Sequence, residues 1–158
     1  MASSHVVEGP MTLSGVTDPD PSSQGERVLI VEDNADVALG FAAVVRLLGH
    51  KVEVALDGPR ALQIAAKFKP TIALVDIGLP VMDGYEVARR LRAVAESRPL
   101  KLVAVTGYGE EANREKSLEA GFDLHIVKPV ELESIRSLLD GTRNSPANGS
   151  PVKDAAKN

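Results

Sequence analysis

The 158-residue chain reads as an α/β protein with a three-layer, doubly wound core, and three observations predict it. It is 44% apolar but only 3% aromatic and lacks Trp, so its core must be built from Val, Leu, Ile and Ala, as in parallel sheets covered on both faces. Short β-branched runs recur at five places. Between them lie stretches whose apolar residues repeat at spacings of three and four, the mark of helices with one buried face.

The elements follow in order. Residues 1–25 are rich in Ser, Pro, Gly and Asp, bury too little apolar surface to offset the entropy of ordering, and are expected to form a disordered tail. A domain over 26–141 should follow. It opens with a strand at 27–31 and a helix whose core face is Val37, Phe41, Val44 and Leu48, stopped by Gly49. A strand at 51–55 leads to a second helix opened by Gly58-Pro59, since Pro suits a first helical turn. After a strand at 71–75, Pro80 and Asp83-Gly84 make a tight loop, with Gly84 permitting a backbone geometry that other residues resist. The third helix presents Val87, Leu91 and Val94 to the core. A strand at 100–105 precedes the weakest amphipathic segment, 110–120, with Leu118 as its main apolar anchor and Gly121 as its stop. The last strand is expected at 122–127 and the last helix ends at Gly141, before a second disordered tail over 142–158. Strand-helix units repeated five times require right-handed crossovers, which place helices on both faces of a parallel sheet.

Composition also narrows the function. A net charge of −4 without clustered Lys or Arg gives no electrostatic footprint for nucleic acid or anionic lipid. With no Cys, and with His5, His50 and His125 scattered, neither a disulfide framework nor a zinc or haem constellation is expected. No segment approaches the apolar length that spans a bilayer, and the expected setting is cytoplasmic.

Ligands of open α/β sheets bind beyond the carboxyl ends of the strands. At those ends stand Glu32-Asp33 after the first strand, Asp76 after the third, Thr106 after the fourth and Lys128-Pro129 after the fifth. Each has an ordinary reading by itself: Asp33 as a helix N-cap, Asp76 and Thr106 as turn residues, Lys128 as a solvated loop residue. Their joint placement argues for a site, because three carboxylates gathered at one edge repel unless a cation joins them. An all-oxygen ligand set suits Mg²⁺. Asp76 is then a competent nucleophile toward phosphorus, with Lys128 and Thr106 supplying charge and a hydroxyl donor to the phosphoryl oxygens.

The runs RVLIVEDN, IALVDIGLPVMDGYEVARRLR, VAVTGYG and IVKP, in this order and spacing, resemble the CheY-like receiver domain of two-component response regulators over nearly all of 27–140. The resemblance implies a flavodoxin-like fold with strand order 2-1-3-4-5 and phosphorylation of Asp76. It implies Mg²⁺ held by Asp33, Asp76 and the Gly78 carbonyl, with Glu32 acting through metal-bound water. Thr106 and Lys128 would contact the phosphoryl group, and the Lys128-Pro129 bond would be cis. The implied partners are a histidine kinase or histidine phosphotransfer protein and a downstream protein target, with the chain a monomer or weak homodimer. Such a domain catalyses only its own phosphorylation and dephosphorylation. Two positions depart from the common pattern. Glu32 stands where Asp is more usual, and His125 stands where many relatives carry a Phe or Tyr that swings inward, so a switch pairing Thr106 with position 125 must work differently here. Output is expected at the face of the fourth helix, fifth strand and fifth helix. The chain would be a stand-alone regulator or the receiver of a hybrid histidine kinase, and ALDGPRAL and IVKPV are similar to the wording of the latter.

Two enzyme readings compete. Gly107-Tyr108-Gly109-Glu110-Glu111-Ala112 fits the dinucleotide pattern G-x-G-x-x-G/A of NAD(P)-binding enzymes, but it follows the fourth strand, and Glu110 and Glu111 would face a pyrophosphate with like charge. An aspartyl-nucleophile phosphatase would carry a second carboxylate where Gly78 stands.

Overall fold

A computed structural model describes residues 25–107 and 114–144. The elements run β1 (Arg27–Val31), α1 (Ala35–Leu47), β2 (Lys51–Ala55), α2 (Gly58–Phe68), β3 (Ile72–Asp76), α3 (Gly84–Ala95), β4 (Lys101–Thr106), α4 (Arg114–Ala120), β5 (Leu124–Val127) and α5 (Leu132–Asn144). All strand pairs are parallel and the sheet order is β2-β1-β3-β4-β5, as expected.

Side chains alternate between the faces along each strand. Leu29, Val31, Ala73, Val75, Leu102 and Ala104 pack under α2 and α3 against Ala61, Ala65, Val87 and Leu91. Val28, Ile30, Ile72, Leu74, Val103 and Val105 pack under α1 and α5 against Ala38, Ala42, Val45, Ile135 and Leu139. Every residue of β3 is buried, so this central strand is an apolar run ending in a single carboxylate, Asp76.

Four expectations need correction. The line of α1 that meets the sheet is Ala38, Ala42 and Val45, with Phe41, Val44 and Leu48 only partly buried beside it; small side chains let the helix approach the sheet closely. In α4, Leu118 is 72% exposed, whereas Ser117 and Ala120, three residues apart on one face, are buried. Gly141 does not stop α5, which continues to Asn144. Phe122 lies before β5, buried against the core.

Gly49 and Gly121 do end their helices, with φ of +91° and +99°. At each the next amide reaches back to close the turn, His50 to the Val45 carbonyl and Phe122 to the Ser117 carbonyl. The tails over 1–24 and 145–158 and the first part of the expected fourth helix lie outside the described residues.

Candidate functional site

The sheet brings its chemistry to one edge because Asp76 and Thr106 are the last paired residues of β3 and β4 rather than loop residues beyond them. Asp76 is in register with Val105, and Thr106 with Val127. The ladder continues one step further on each side: the Ile77 N–H donates to the Val105 carbonyl (3.0 Å) and the Lys128 N–H to the Thr106 carbonyl (2.8 Å). Asp76 and Thr106 are 8% and 2% exposed. The two groups therefore sit on rigid strand ends, which suits a site that must hold geometry.

Glu32 and Asp33 follow β1 directly. Glu32 is buried, and its backbone N–H still pairs with the Ala55 carbonyl (3.0 Å). The N-cap of α1 is Asn34, whose Oδ1 accepts from the amides of Asp36 (3.0 Å) and Val37 (3.2 Å). That removes the capping explanation for Asp33 and leaves its exposed carboxylate facing the site. Carboxylate oxygens of Glu32, Asp33 and Asp76 all lie within 4.8 Å of one another.

Among the described residues, one cation contacts two of these three acids. Lys128 Nζ lies 2.8 Å from Glu32 Oε2 and 3.4 Å from Asp76 Oδ2. Glu32 Oε1 also accepts the Asn34 N–H (3.0 Å), and Asp76 Oδ1 accepts the Gly78 N–H (2.9 Å). Burial pushes the Glu32 carboxyl above its ordinary range, and the bond from Lys128 recovers only part of that cost. For Lys128 burial pulls the other way, lowering the ammonium, but the carboxylates of Glu32 and Asp76 outweigh it and hold Lys128 above its ordinary value. The two directions agree physically: Glu32 is nearly sealed from water, while the Lys128 side chain keeps 30% of its exposure and suffers less desolvation.

With three carboxylates against one ammonium, two of the acids buried, the site keeps an excess of negative charge. Its chemistry fits a hard divalent cation with oxygen ligands. The Lys128-Pro129 peptide is cis, as the resemblance implied.

Gly84 acts differently from the expectation. Its φ is not among the positive values, and its role is close approach: a Cβ there would stand 2.6 Å from the Asp76 carbonyl oxygen and 2.6 Å from Ile77 Cα. Asp83 caps α3 through the Glu86 amide, and the Gly84 N–H donates to the Ile77 carbonyl (3.1 Å), so the α3 N-terminus is seated directly on the end of β3. His125 is half-buried on β5, with its Nε2 2.8 Å from Ser117 Oγ and its ring 6.2 Å from that of Phe122. Sequence reading missed Ser117, because nothing in a seven-residue helix marks one serine as the buried one. It also missed Arg92, which donates from α3 to the carbonyls of Leu100 and Gly121 and to Asp123. Of the dinucleotide-like run, only Gly107 is described, and Tyr108 to Ala112 lie outside the described residues.

Comparison with known proteins agrees with this architecture. The family profile of the response regulator receiver domain matches residues 28–140. The chain is 35% identical over 122 residues to the transcriptional regulatory protein PrrA of Mycobacterium tuberculosis, covering 77% of this chain and 48% of that protein. It thus spans about half the length of that relative. It is 32% identical over 114 residues to sporulation initiation phosphotransferase F of Bacillus subtilis, covering 72% of this chain and 90% of that protein. Among solved structures it is similar to the receiver domain of the sensor histidine kinase PA1611 of Pseudomonas aeruginosa, determined with a magnesium ion coordinated in its active site cleft. The TM-score there is 0.65 at 32% identity, covering 73% of this chain and 95% of that one.

Proposed function

This chain belongs to the response regulator receiver family, and from that premise we propose that it accepts a phosphoryl group on Asp76 from a phosphohistidine and signals through the change that follows. The observation that carries the reading is the meeting of Glu32, Asp33, Asp76 and Lys128 at one strand edge, with Asp76 on a buried strand end.

Residues of this chain account for each requirement of the transfer. A carboxylate oxygen of Asp76 attacks phosphorus, the P–N bond to the donor imidazole breaks, and an acyl phosphate forms. The Gly78 N–H on Oδ1 and the Lys128 ammonium beside Oδ2 hold the Asp76 carboxylate in place at the strand end. Lys128 stands where it can turn from a carboxylate to a phosphoryl oxygen, and the buried Thr106 hydroxyl offers a second donor at the same edge. Asp33, Asp76 and the Gly78 carbonyl would hold Mg²⁺, with Glu32 behind them through water. When bound, that ion supplies charge neutralisation to the transferring group. No external substrate is turned over in this scheme: the chain catalyses its own phosphorylation and dephosphorylation.

The surroundings support a protein donor, a histidine kinase or histidine phosphotransfer protein. A groove of about 680 Å³ opens between α1 and α5 beside Lys128, lined by Val37, Phe41, Val44, Pro129, Val130 and Ile135. An apolar wall next to the reactive edge suits docking of another protein more than binding of a free polar metabolite. We assign the output to a downstream protein contacted by the α4-β5-α5 face. The domain itself would act as a monomer or weak homodimer, whether it stands alone or belongs to a hybrid kinase.

Incubation with acetyl phosphate and Mg²⁺, read by intact mass, tests the assignment. One base-labile phosphoryl group should be added, absent in Asp76→Asn and absent with chelator. Undiminished labelling of Asp76→Asn would overturn it.

A further inference from the structure

Apolar burial holds α4 weakly. Of its side chains from Glu115 to Ala120, only Ser117 and Ala120 are buried. What fixes the helix is polar. Ser117, 0% exposed, joins its Oγ to His125 Nε2 on β5 at 2.8 Å, and a hydroxyl can serve either tautomer of the ring. The carbonyl of the same residue accepts from the amides of Gly121 (3.1 Å) and Phe122 (3.0 Å). Ser117 therefore ties α4 to β5 by its side chain and closes the turn toward β5 by its backbone. The C-terminal end of the helix is pinned separately by Arg92 on the Gly121 carbonyl, and Lys116 lies 4.7 Å over the Tyr85 ring of α3.

The latch lies close to the reactive edge. His125 is in register with Ala104, two residues before Thr106, so strand alternation puts the side chains of His125 and Thr106 on the same face of the sheet, the one α4 covers. A fully buried hydroxyl that loses its partner is left unsatisfied unless water enters, so the contact is either made or the helix moves away.

We propose that the Ser117–His125 hydrogen bond is the latch that sets the resting position of α4 on β5, and that its opening, driven from the phosphoryl site through Thr106, is the signalling event in this chain. The latch stands on these contacts; its use in signalling rests on the phosphoacceptor reading.

Amide hydrogen exchange of α4 separates the two parts. Without ligand, Ser117→Ala should speed exchange of the α4 amides roughly tenfold, the size expected for one buried hydrogen bond. The Ser117→Ala/His125→Phe double variant should exceed the larger single change little, because both remove the same bond. Unchanged α4 exchange in Ser117→Ala, or strictly additive effects, overturns the latch. Should Ser117→Ala also loosen the central strands, the decision passes to His125→Gln, which keeps a hydrogen-bonding side chain. Slower α4 exchange than in His125→Phe supports the latch, and equal exchange overturns it. Beryllofluoride with Mg²⁺ should raise α4 exchange in the wild type and change it little in Ser117→Ala. A response confined to residues 76–84 overturns the signalling role alone, and no response anywhere overturns the phosphoacceptor reading while leaving the latch measurements standing.

Discussion

Lys128 Nζ stands nearer to Glu32 than to Asp76, 2.8 Å against 3.4 Å, so the ammonium is held chiefly by the acid other than the proposed phosphoacceptor. Removing Lys128 leaves Glu32 buried without its counter-charge. Lys128→Met should therefore lower stability by about 1–2 kcal/mol, below the usual figure for a buried pair because Lys128 is partly solvated. Urea denaturation at neutral pH measures the loss.

The same pair sets an alkaline limit. The folded chain holds the Lys128 ammonium above its ordinary value of 10.5, so its contribution is complete below that pH and is lost as pH rises through the raised value. Urea midpoints measured into the alkaline range should fall more steeply for wild type than for Lys128→Met. Parallel curves would show that this ion pair contributes nothing to the pH dependence.

Metal binding should discriminate between the adjacent acids. Asp33 is exposed toward the site and has no capping duty, whereas both oxygens of Glu32 are engaged, one by the Asn34 amide and one by Lys128. Calorimetric titration with Mg²⁺ should show a large loss of affinity in Asp33→Ala and a smaller one in Glu32→Gln. Equal losses would place both in direct contact with the ion.

Two glycines should respond oppositely to alanine. Gly84→Ala forces a Cβ to within 2.6 Å of the Asp76 carbonyl and should destabilise by about 1–3 kcal/mol, slowing labelling of Asp76 as the strand end shifts. Gly40, inside α1, has nothing within 4 Å of where a methyl would stand, and Gly40→Ala should stabilise by roughly 0.5–1 kcal/mol through helix propensity. Chemical denaturation of the two variants checks both signs.

Arg92 ties α3 to the residue before β4 and to the turn between α4 and β5. Its guanidinium reaches the Leu100 and Gly121 carbonyls and Asp123, whose carboxylate also accepts the Leu102 N–H (2.8 Å). Arg92→Ala should cost about 2–3 kcal/mol, and Arg92→Lys should recover little, because one ammonium cannot reproduce the planar fork. Thermal unfolding of the two variants would show it. Full recovery in the lysine variant would mean that charge alone matters there.

Much of this molecule was legible in the chain itself. The apolar runs ending in Val31, Val75 and Val105 name strands because a buried parallel strand has no polar face to interrupt it, and Gly49 and Gly121 name helix ends because glycine takes a left-handed backbone without strain. The acids, the hydroxyl and the lysine could be placed at one edge because parallel strands all end on the same side. Local pattern could not give the phase of a helix rich in small residues, so the buried line of α1 fell to Ala38, Ala42 and Val45 rather than to its larger neighbours, and Leu118 proved exposed. It could not show that Gly84 is needed for space rather than for its backbone angle, since the space is defined by Asp76, eight positions earlier. Nor could it pair Lys128 with Glu32, 96 residues away, or choose Ser117 as the partner of His125. Those contacts exist only once crossovers have stacked distant segments, because a hydrogen bond or ion pair depends on ångström-scale distance, which residue type and spacing leave open.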